Sequence, residues 1–300
     1  MNRLETLMAA VTAQWPQHRD ALHRSFKSAS PEMLGHADFI ADLVLRLAEG
    51  GLERKIAGYR WLCEMILEEE LDFRRSGHYR HATQAEVNER LYQDAALMEL
   101  YLDGLLLSQA LWSNHVATSH FFARAFLPRL APKARALEIG PGHGLLLTLV
   151  AQSVADGHVE GWDLSPTSIG YTGQCLDRLG MRGRVALHVR DLYEQGDGER
   201  FDTVVLSEIL EHLEDPLRAL LHAKRLLAAD GLMFVNVPTN APTLDHIHLF
   251  RTSDEAEELL RAAGFRVVER CLAPVSGYSL DKALRHEVTI SCGYVAVPSA

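Results

Sequence analysis

The sequence predicts an α/β fold: a largely parallel sheet with helices on both faces, closed by a C-terminal antiparallel hairpin and preceded by an all-α region. Three observations carry this. Up to about Lys133 the apolar residues recur at three and four with hardly any period-two run, the helical pattern. Beyond the proline-bearing seam "LPRLAPKAR", short β-branched runs alternate with helical stretches, as strand–helix units require. Near the end, "FRVVERCLA" and "EVTISCGYVAV" read as two strands with little but a loop between them. The chain therefore divides into an all-helical region, residues 1–130, and an α/β domain, residues 131–300.

Each element has a local reason. "MLGHADFIADLVLRLAEG" and "YRWLCEMILEEELDF" fit amphipathic helices. Thr83 and Glu86 form a capping-box pattern that opens a third. "LYQDAALMELYLDGLLLSQALWSNHVATSHFFARAF" is apolar on more than one face and reads as two helices, broken near Gly104 or Asn114. After the seam, "RALEI" leads into "GLLLTLVAQSV", and "HVEGWDL" into a helix at Ser165-Pro166. "RVALHV" follows, then "DTVVLS", a helix after Asp215-Pro216, and "GLMFVNV". In both dipeptides an N-cap residue precedes proline at the first helical position, where the missing N–H costs nothing. Thr252 and Glu255 open a last helix that ends before Gly264.

The 300 residues, 47% of them hydrophobic, suffice for one large domain or two ordinary ones. Four scattered cysteines (Cys63, Cys175, Cys271, Cys292) form no CxxC pair and read as buried thiols in a reducing compartment. "MNRLETLMAAVTAQW" carries Glu5 and is too short in apolar length for a signal peptide. "YLDGLLLSQALW" holds Asp103 and is too short to cross a bilayer. A cytoplasmic location is expected. The formal net charge is −10, and the first 133 residues carry 15 basic and 17 acidic groups against 15 and 23 in the remainder. A surface that coats nucleic acid usually has the opposite sign, so a nucleic-acid acceptor is disfavoured.

"ALEIGPGHG", residues 136–144, is the first strand of the α/β part and its exit turn, where open parallel sheets bind ligands. The dinucleotide fingerprint needs Gly or Ala where this chain has Leu145, and Gly144 comes one residue early. The GxxxxGK[ST] phosphate loop is absent. Glu138-x-Gly140-x-Gly142-x-Gly144 instead resembles motif I of the class I S-adenosylmethionine (SAM) methyltransferases. The glycines would admit the methionine end of a ligand without phosphates, and Glu138 suits its ammonium and sulfonium. Asp163 ends the next strand, 23 positions after Gly140, where a carboxylate can accept both ribose hydroxyls. Asp191 stands where this family places an acid against the adenine amino group. The resemblance runs from about Ala131 to the C-terminus. It implies a Rossmann-like seven-stranded sheet and SAM as cofactor.

A second stretch, "LSEILEHLEDPLRAL", resembles the "ExLEHxxDP" signature of ubiquinone-type O-methyltransferases and their small-molecule relatives. The resemblance implies that Ser207 lines the methionine end of SAM and that the following residues stand beside the methyl group. Within a helical turn, Glu208, Glu211 and His212 share one face at i, i+3 and i+4. Two carboxylates and an imidazole can bind a divalent cation, the oxygens suiting Mg²⁺ or Mn²⁺. "PTNAPTLDHIHLF" adds Asp245, His246 and His248. In the small-RNA 2′-O-methyltransferases, Glu-x-x-Glu-His and a later histidine hold a metal. Here Glu208, Glu211, His212 and either His246 or His248 match that set. His212 is thus a general base, a metal ligand or a hydrogen-bonded wall residue, with Glu208 as its catalytic neighbour. Acids near a helix N-terminus are also favourable without function, by ~0.3–1 kcal/mol each.

Helical additions in this family usually close over the substrate, so residues 1–130 read as a lid or a dimerisation element. "FRRSGHYRH" gathers Arg74, Arg75, His78, Tyr79, Arg80 and His81. Facing inward, Arg75 and Arg80 would hold a carboxylate or phosphate of the acceptor; facing outward they are a solvated patch. Trp112, Asn114, His115 and His120 are placed to reach the pocket mouth, with His115 and His246 as candidate substrate contacts. His18, His23 and His36 read as surface residues. The expected activity is SAM-dependent methylation of a small metabolite or natural product, with oxygen slightly preferred. A peptide acceptor, RNA 2′-O-methylation, a carboxylated SAM donor and SAM binding without transfer are the alternatives. The long apolar helices could also pair two copies into a homodimer.

Overall fold

The structure is a computed structural model that describes residues 1–194 and 200–299. The helical region contains α1 (Arg3–Gln14), α2 (Arg19–Phe26), α3 (Pro31–Leu47), α4 (Leu52–Ser76), α5 (Gln84–Val87), α6 (Ala95–Leu111) and α7 (Ser113–Phe121). A π-helical turn, Asn88–Tyr92, continues α5. Both halves of the Thr83/Glu86 capping box form. The long apolar stretch breaks at Trp112, whose backbone is extended, and not at Gly104.

Gly104 has another task. It faces Gly58 where α6 crosses α4, and a Cβ on Gly58 would lie 2.6 Å from the Leu100 carbonyl oxygen. Beside this crossing the Asp103 carboxylate is buried and takes Lys55 Nζ at 2.6 Å, Arg54 Nε at 3.0 Å and the Tyr171 hydroxyl at 2.7 Å. Tyr171 belongs to the α/β part, so this cluster ties the two regions together.

The α/β part runs β1 (Arg135–Ile139), α8 (Leu145–Ser153), β2 (His158–Asp163), α9 (Pro166–Arg178), β3 (Val185–Val189) and β4 (Phe201–Ser207). It continues with α10 (Pro216–Leu226), β5 (Leu227–Thr239), α11 (Ser253–Ala262), β6 (Phe265–Pro274), α12 (Leu280–His286) and β7 (Ile290–Pro298). Ser165 and Asp215 cap α9 and α10 through their side chains, each ahead of a proline. The seven strands lie in the order β3-β2-β1-β4-β5-β7-β6. β7 is antiparallel to both its neighbours, β5 and β6. The expected closing pair is therefore antiparallel, but β7 inserts inside the sheet, and α12 sits where only a loop was expected.

Strands buried on both faces generate two cores. On one face Val204, Leu206, Met233 and Val235 pack with α10 and α11. On the other, Val205, Phe234 and Val295 join α8, α9 and most of the helical region in one continuous cluster. Among the described residues, no helix is long and apolar enough to cross a membrane.

Gly58→Ala is expected to overpack the α4–α6 crossing at a cost of about 1–3 kcal/mol. Gly35→Ala, in α3 with nothing within 4 Å of the new Cβ, should instead stabilise by roughly 0.5–1 kcal/mol. Chemical denaturation of the two variants beside the parent checks the opposite signs.

Candidate active site

The glycine turn at the end of β1 is built from left-handed backbone. Gly140, Gly142 and Gly144 have φ of 64°, 51° and 73°, which side-chain-bearing residues rarely adopt. A Cβ on Gly140 would also collide with the Ile209 side chain. Thr172 Oγ1 donates to the Gly142 carbonyl at 2.7 Å and stitches the turn to α9. Around the turn stand Glu138, Asp163, Asp191 and Ser207, all lining one cavity of about 1080 Å³. Glu138 is buried with Oε2 unpartnered, and burial raises its pKa well above the usual range. Burial also raises Asp163, although Ser165 N–H and the Ser168 hydroxyl donate to its carboxylate at 2.8 and 2.6 Å.

The stretch after β4 departs from the expected helical turn. Glu208 leaves the strand in left-handed backbone, φ 55°, and only Leu210–His212 forms a short 3₁₀ turn. The i, i+3, i+4 face is therefore not made. Asn236 Nδ2 instead pins the Glu208 carboxylate, and Glu208 N–H donates to the Asn236 carbonyl at 2.8 Å. Burial, then mutual proximity, drives Glu211 well above the ordinary carboxylate range, and burial raises Glu208 too.

His212 and His246 converge on Glu211. His212 Nδ1 donates to the Asp245 carbonyl at 2.9 Å, and His246 Nδ1 to the Ala241 carbonyl at 2.6 Å. A carbonyl only accepts, so each Nδ1 carries its proton and each Nε2 presents a lone pair. Both Nε2 atoms face Glu211 Oε1, at 3.9 and 4.0 Å. Both Glu211 oxygens are buried without a hydrogen-bond partner. One ligand atom from each of the three residues lies within 4.8 Å of the others. His248 is not among them: its ring packs on Phe250, 4.6 Å between centroids, over a separate small cleft. Glu208 adjoins the trio without joining it, so the four-ligand set expected from sequence contracts to Glu211, His212 and His246.

The family model for a methyltransferase domain matches residues 114–270, more than half of the chain. The chain belongs to the methyltransferase domain family. Its sheet and glycine turn are of the class I, SAM-dependent kind. The ubiquinone biosynthesis O-methyltransferase of Cereibacter sphaeroides is 30% identical over 158 residues, covering 45% of this chain and 62% of that protein. The chain thus spans less than two thirds of the length of the curated relatives it matches. A probable (S)-tetrahydroprotoberberine N-methyltransferase of Papaver bracteatum is 27% identical over 100 residues, covering 33% and 28%. Among solved structures, the O-methyltransferase NcsB1 from neocarzinostatin biosynthesis, in complex with SAM and 2-hydroxy-5-methyl naphthoic acid, superposes with a TM-score of 0.56 at 17% identity. That likeness covers 78% of this chain and 68% of NcsB1. The mitomycin 7-O-methyltransferase MmcR gives 0.55 at 15% identity, covering 83% and 70%. At these identities the two structures share the fold with this methyltransferase domain.

The helical region contributes to the cavity differently from expectation. Arg75 and Arg80 lie outside it: Arg80 is engaged by Glu69 and Asp72, and Arg75 is exposed 3.9 Å from Asp72. Their place at the end of a long helix among acids explains why they point away. His115 does line the cavity, hydrogen-bonded to Ser108 at 3.0 Å and driven to about 3 by burial and His143. His18, expected on the surface, stacks on Trp15 at 4.0 Å and also lines the cavity. His36 is half-buried against Ser119 and His120. Sequence reasoning named Asp245 beside His246 and His248 but gave no role to Tyr101, Tyr92 or Asn236. The Asp245 carboxylate accepts from Thr243 Oγ1 at 2.7 Å and from Tyr101 at 3.0 Å, with Tyr92 at 3.4 Å. Burial opposes its charge, while the His212 and His246 rings together with the Thr243 and Tyr101 hydroxyls favour it and hold it below the usual range. The signal was a tyrosine inside an apolar stripe, whose hydroxyl must find a partner when buried.

Asp163→Ala is expected to weaken S-adenosylhomocysteine binding by about tenfold to a hundredfold, from the loss of hydrogen bonds to a charged group. Arg80→Ala should leave it within roughly twofold, since surface ion pairs contribute little. Isothermal calorimetry on both variants separates the cavity residue from the surface one.

Proposed function

We propose that this protein transfers the methyl group of SAM to a hydroxyl of a small molecule, at a centre built from Glu208, Glu211, His212 and His246. The observation that carries this reading is the convergence of two imidazole lone pairs on the Glu211 carboxyl group, whose two oxygens are buried without a hydrogen-bond partner. Such an arrangement is costly unless a positive charge lies at its middle. The donor set fits a divalent cation held by Glu211, His212 and His246. Mixed imidazole and carboxylate ligation suits a borderline ion such as Mn²⁺ or Zn²⁺ better than Mg²⁺. A cation bound there would lower the pKa of a nearby hydroxyl.

The rest of the work falls to the chain itself. Glu138, the glycine turn, Asp163, Asp191 and Ser207, which line one cavity, would hold SAM. Methyl transfer is then an in-line displacement: the acceptor oxygen forms the C–O bond while the C–S pair returns to sulfur, leaving S-adenosylhomocysteine. The acceptor's proton has to go elsewhere. Glu208 lines the cavity, and burial raises its proton affinity, which suits a general base. Asp245 keeps the His212 ring turned toward Glu211. The acidic lining of the cavity disfavours RNA as the acceptor.

Mn²⁺ titrated by calorimetry into the chain saturated with S-adenosylhomocysteine is expected to bind one to one. His246→Ala should abolish that binding and His248→Ala should preserve it. Glu208→Gln should keep Mn²⁺ but slow S-adenosylhomocysteine formation from a panel of phenols by about a hundredfold. Equal Mn²⁺ binding in parent and His246→Ala would sink the metal centre and leave His212, oriented by Asp245, as the base.

A further inference from the structure

We infer that the acceptor is an uncharged, largely apolar, ring-bearing molecule seated in the part of the cavity that the helical region builds. The inference rests on the methyl-transfer reading for the word acceptor, and on the walls of the cavity for its chemistry. At about 1080 Å³ the cavity exceeds what one small ligand commonly occupies, roughly 300–1,000 Å³. The glycine turn and the acidic strand ends take up only one side. On the other, the cavity continues between α2, α4, α6 and α7, where Leu22, Leu62, Ile66, Leu105, Phe122 and Phe234 line it.

Several polar groups of this chamber are spent on one another. Trp112 Nε1 donates to the Tyr59 hydroxyl at 2.9 Å, and that hydroxyl meets His18 Nε2 at 3.0 Å. Ser25 donates to the Leu111 carbonyl at 3.0 Å and touches Ser276 at 2.8 Å. A ligand therefore meets methyl groups and ring faces. Asn114 lines the cavity too, gives Nδ2 to Ser291 at 3.0 Å and keeps Oδ1 buried without a partner. It asks for a single donor, such as a second hydroxyl.

Charge excludes an anion from the chamber. Among the described residues lining the cavity, six carry carboxylates, and Arg190 is the one lysine or arginine. Arg190 lies over the Trp162 ring at 3.9 Å, at the SAM side beside Asp163. The buried imidazoles of His115 and His143, pushed down to about 3 and about 4, are neutral. In the helical chamber, away from SAM and the proposed cation, a sulfonate or carboxylate would find no lysine or arginine to pair with, and its desolvation would go unrepaid. The anionic acceptor expected from Arg75 and Arg80 gives way to a neutral one.

Two fluorophores with the same ring system separate the cases: N-phenyl-1-naphthylamine is neutral, and 1-anilinonaphthalene-8-sulfonate adds only an anionic group. Each is titrated into the full chain with and without saturating S-adenosylhomocysteine. The neutral probe is expected to bind saturably in both conditions, and the sulfonate roughly tenfold or more weakly. Ile66→Trp and Leu105→Trp, which fill the chamber from two different helices, should each weaken the neutral probe by about tenfold or more while leaving S-adenosylhomocysteine affinity within about twofold. That second affinity shows that each variant is folded. A sulfonate that binds as tightly as the amine, or neutral-probe affinity untouched in both filled variants, overturns the inference. Failure of the chain to bind S-adenosylhomocysteine would instead strike the methyl-transfer reading, because the probes report on the chamber without it.

Discussion

Asp245 is where the two regions of the chain meet the candidate centre. An ionised carboxylate removed from water costs several kcal/mol unless hydrogen bonds repay it. The repayment here comes from separate parts of the sequence: Tyr101 from α6, Tyr92 from the π-helical turn, Thr243 from its own loop and His212 from the turn after β4. Moving any of these elements would leave a buried charge short of partners. The docking of the helical region and the orientation of His212 are therefore one problem with one solution.

Backbone constraint prepares the other side of the cavity. At the cavity ends of β1, β4 and β5 the chain turns away through left-handed residues. At Gly140, Gly142 and Gly144 that conformation carries no side-chain penalty. At Glu208 it does, on the order of 1–3 kcal/mol. The paired contacts between Glu208 and Asn236 are what hold it there. Strain at this one acid turns its carboxyl onto Asn236, off the face that a regular helix would have shared with Glu211 and His212.

The α/β order of elements, the caps at Thr83, Ser165, Asp215 and Thr252 and the glycine turn were all legible, because each is written in a few adjacent residues. The insertion of β7 between β5 and β6 was not, since two successive strands give no local sign of which sits at the edge. Likewise Gly104 looked like a helix breaker, and only its meeting with Gly58, 46 positions away, shows it to be a packing surface. For the candidate site, residue types were readable and selection among them was not. His246 and His248 are equivalent in sequence, yet the loop turns one ring toward Glu211 and the other toward Phe250. The tyrosines around Asp245 were hidden for the same reason: their partners are about 150 residues downstream.

The single buried cluster that runs from α1 through α9 to β7 has a bearing on how such a protein can change over time. A cap joined by a hinge can be exchanged for another, and a new specificity acquired in one recombination. Here the helical region covers the sheet face with shared side chains, so its loss would expose Val205, Phe234 and Val295 to water. Change in what the cavity admits is thereby channelled into point replacements on the inner walls of α2, α4, α6 and α7. Each replacement is screened first by the stability of the common core and only then by chemistry.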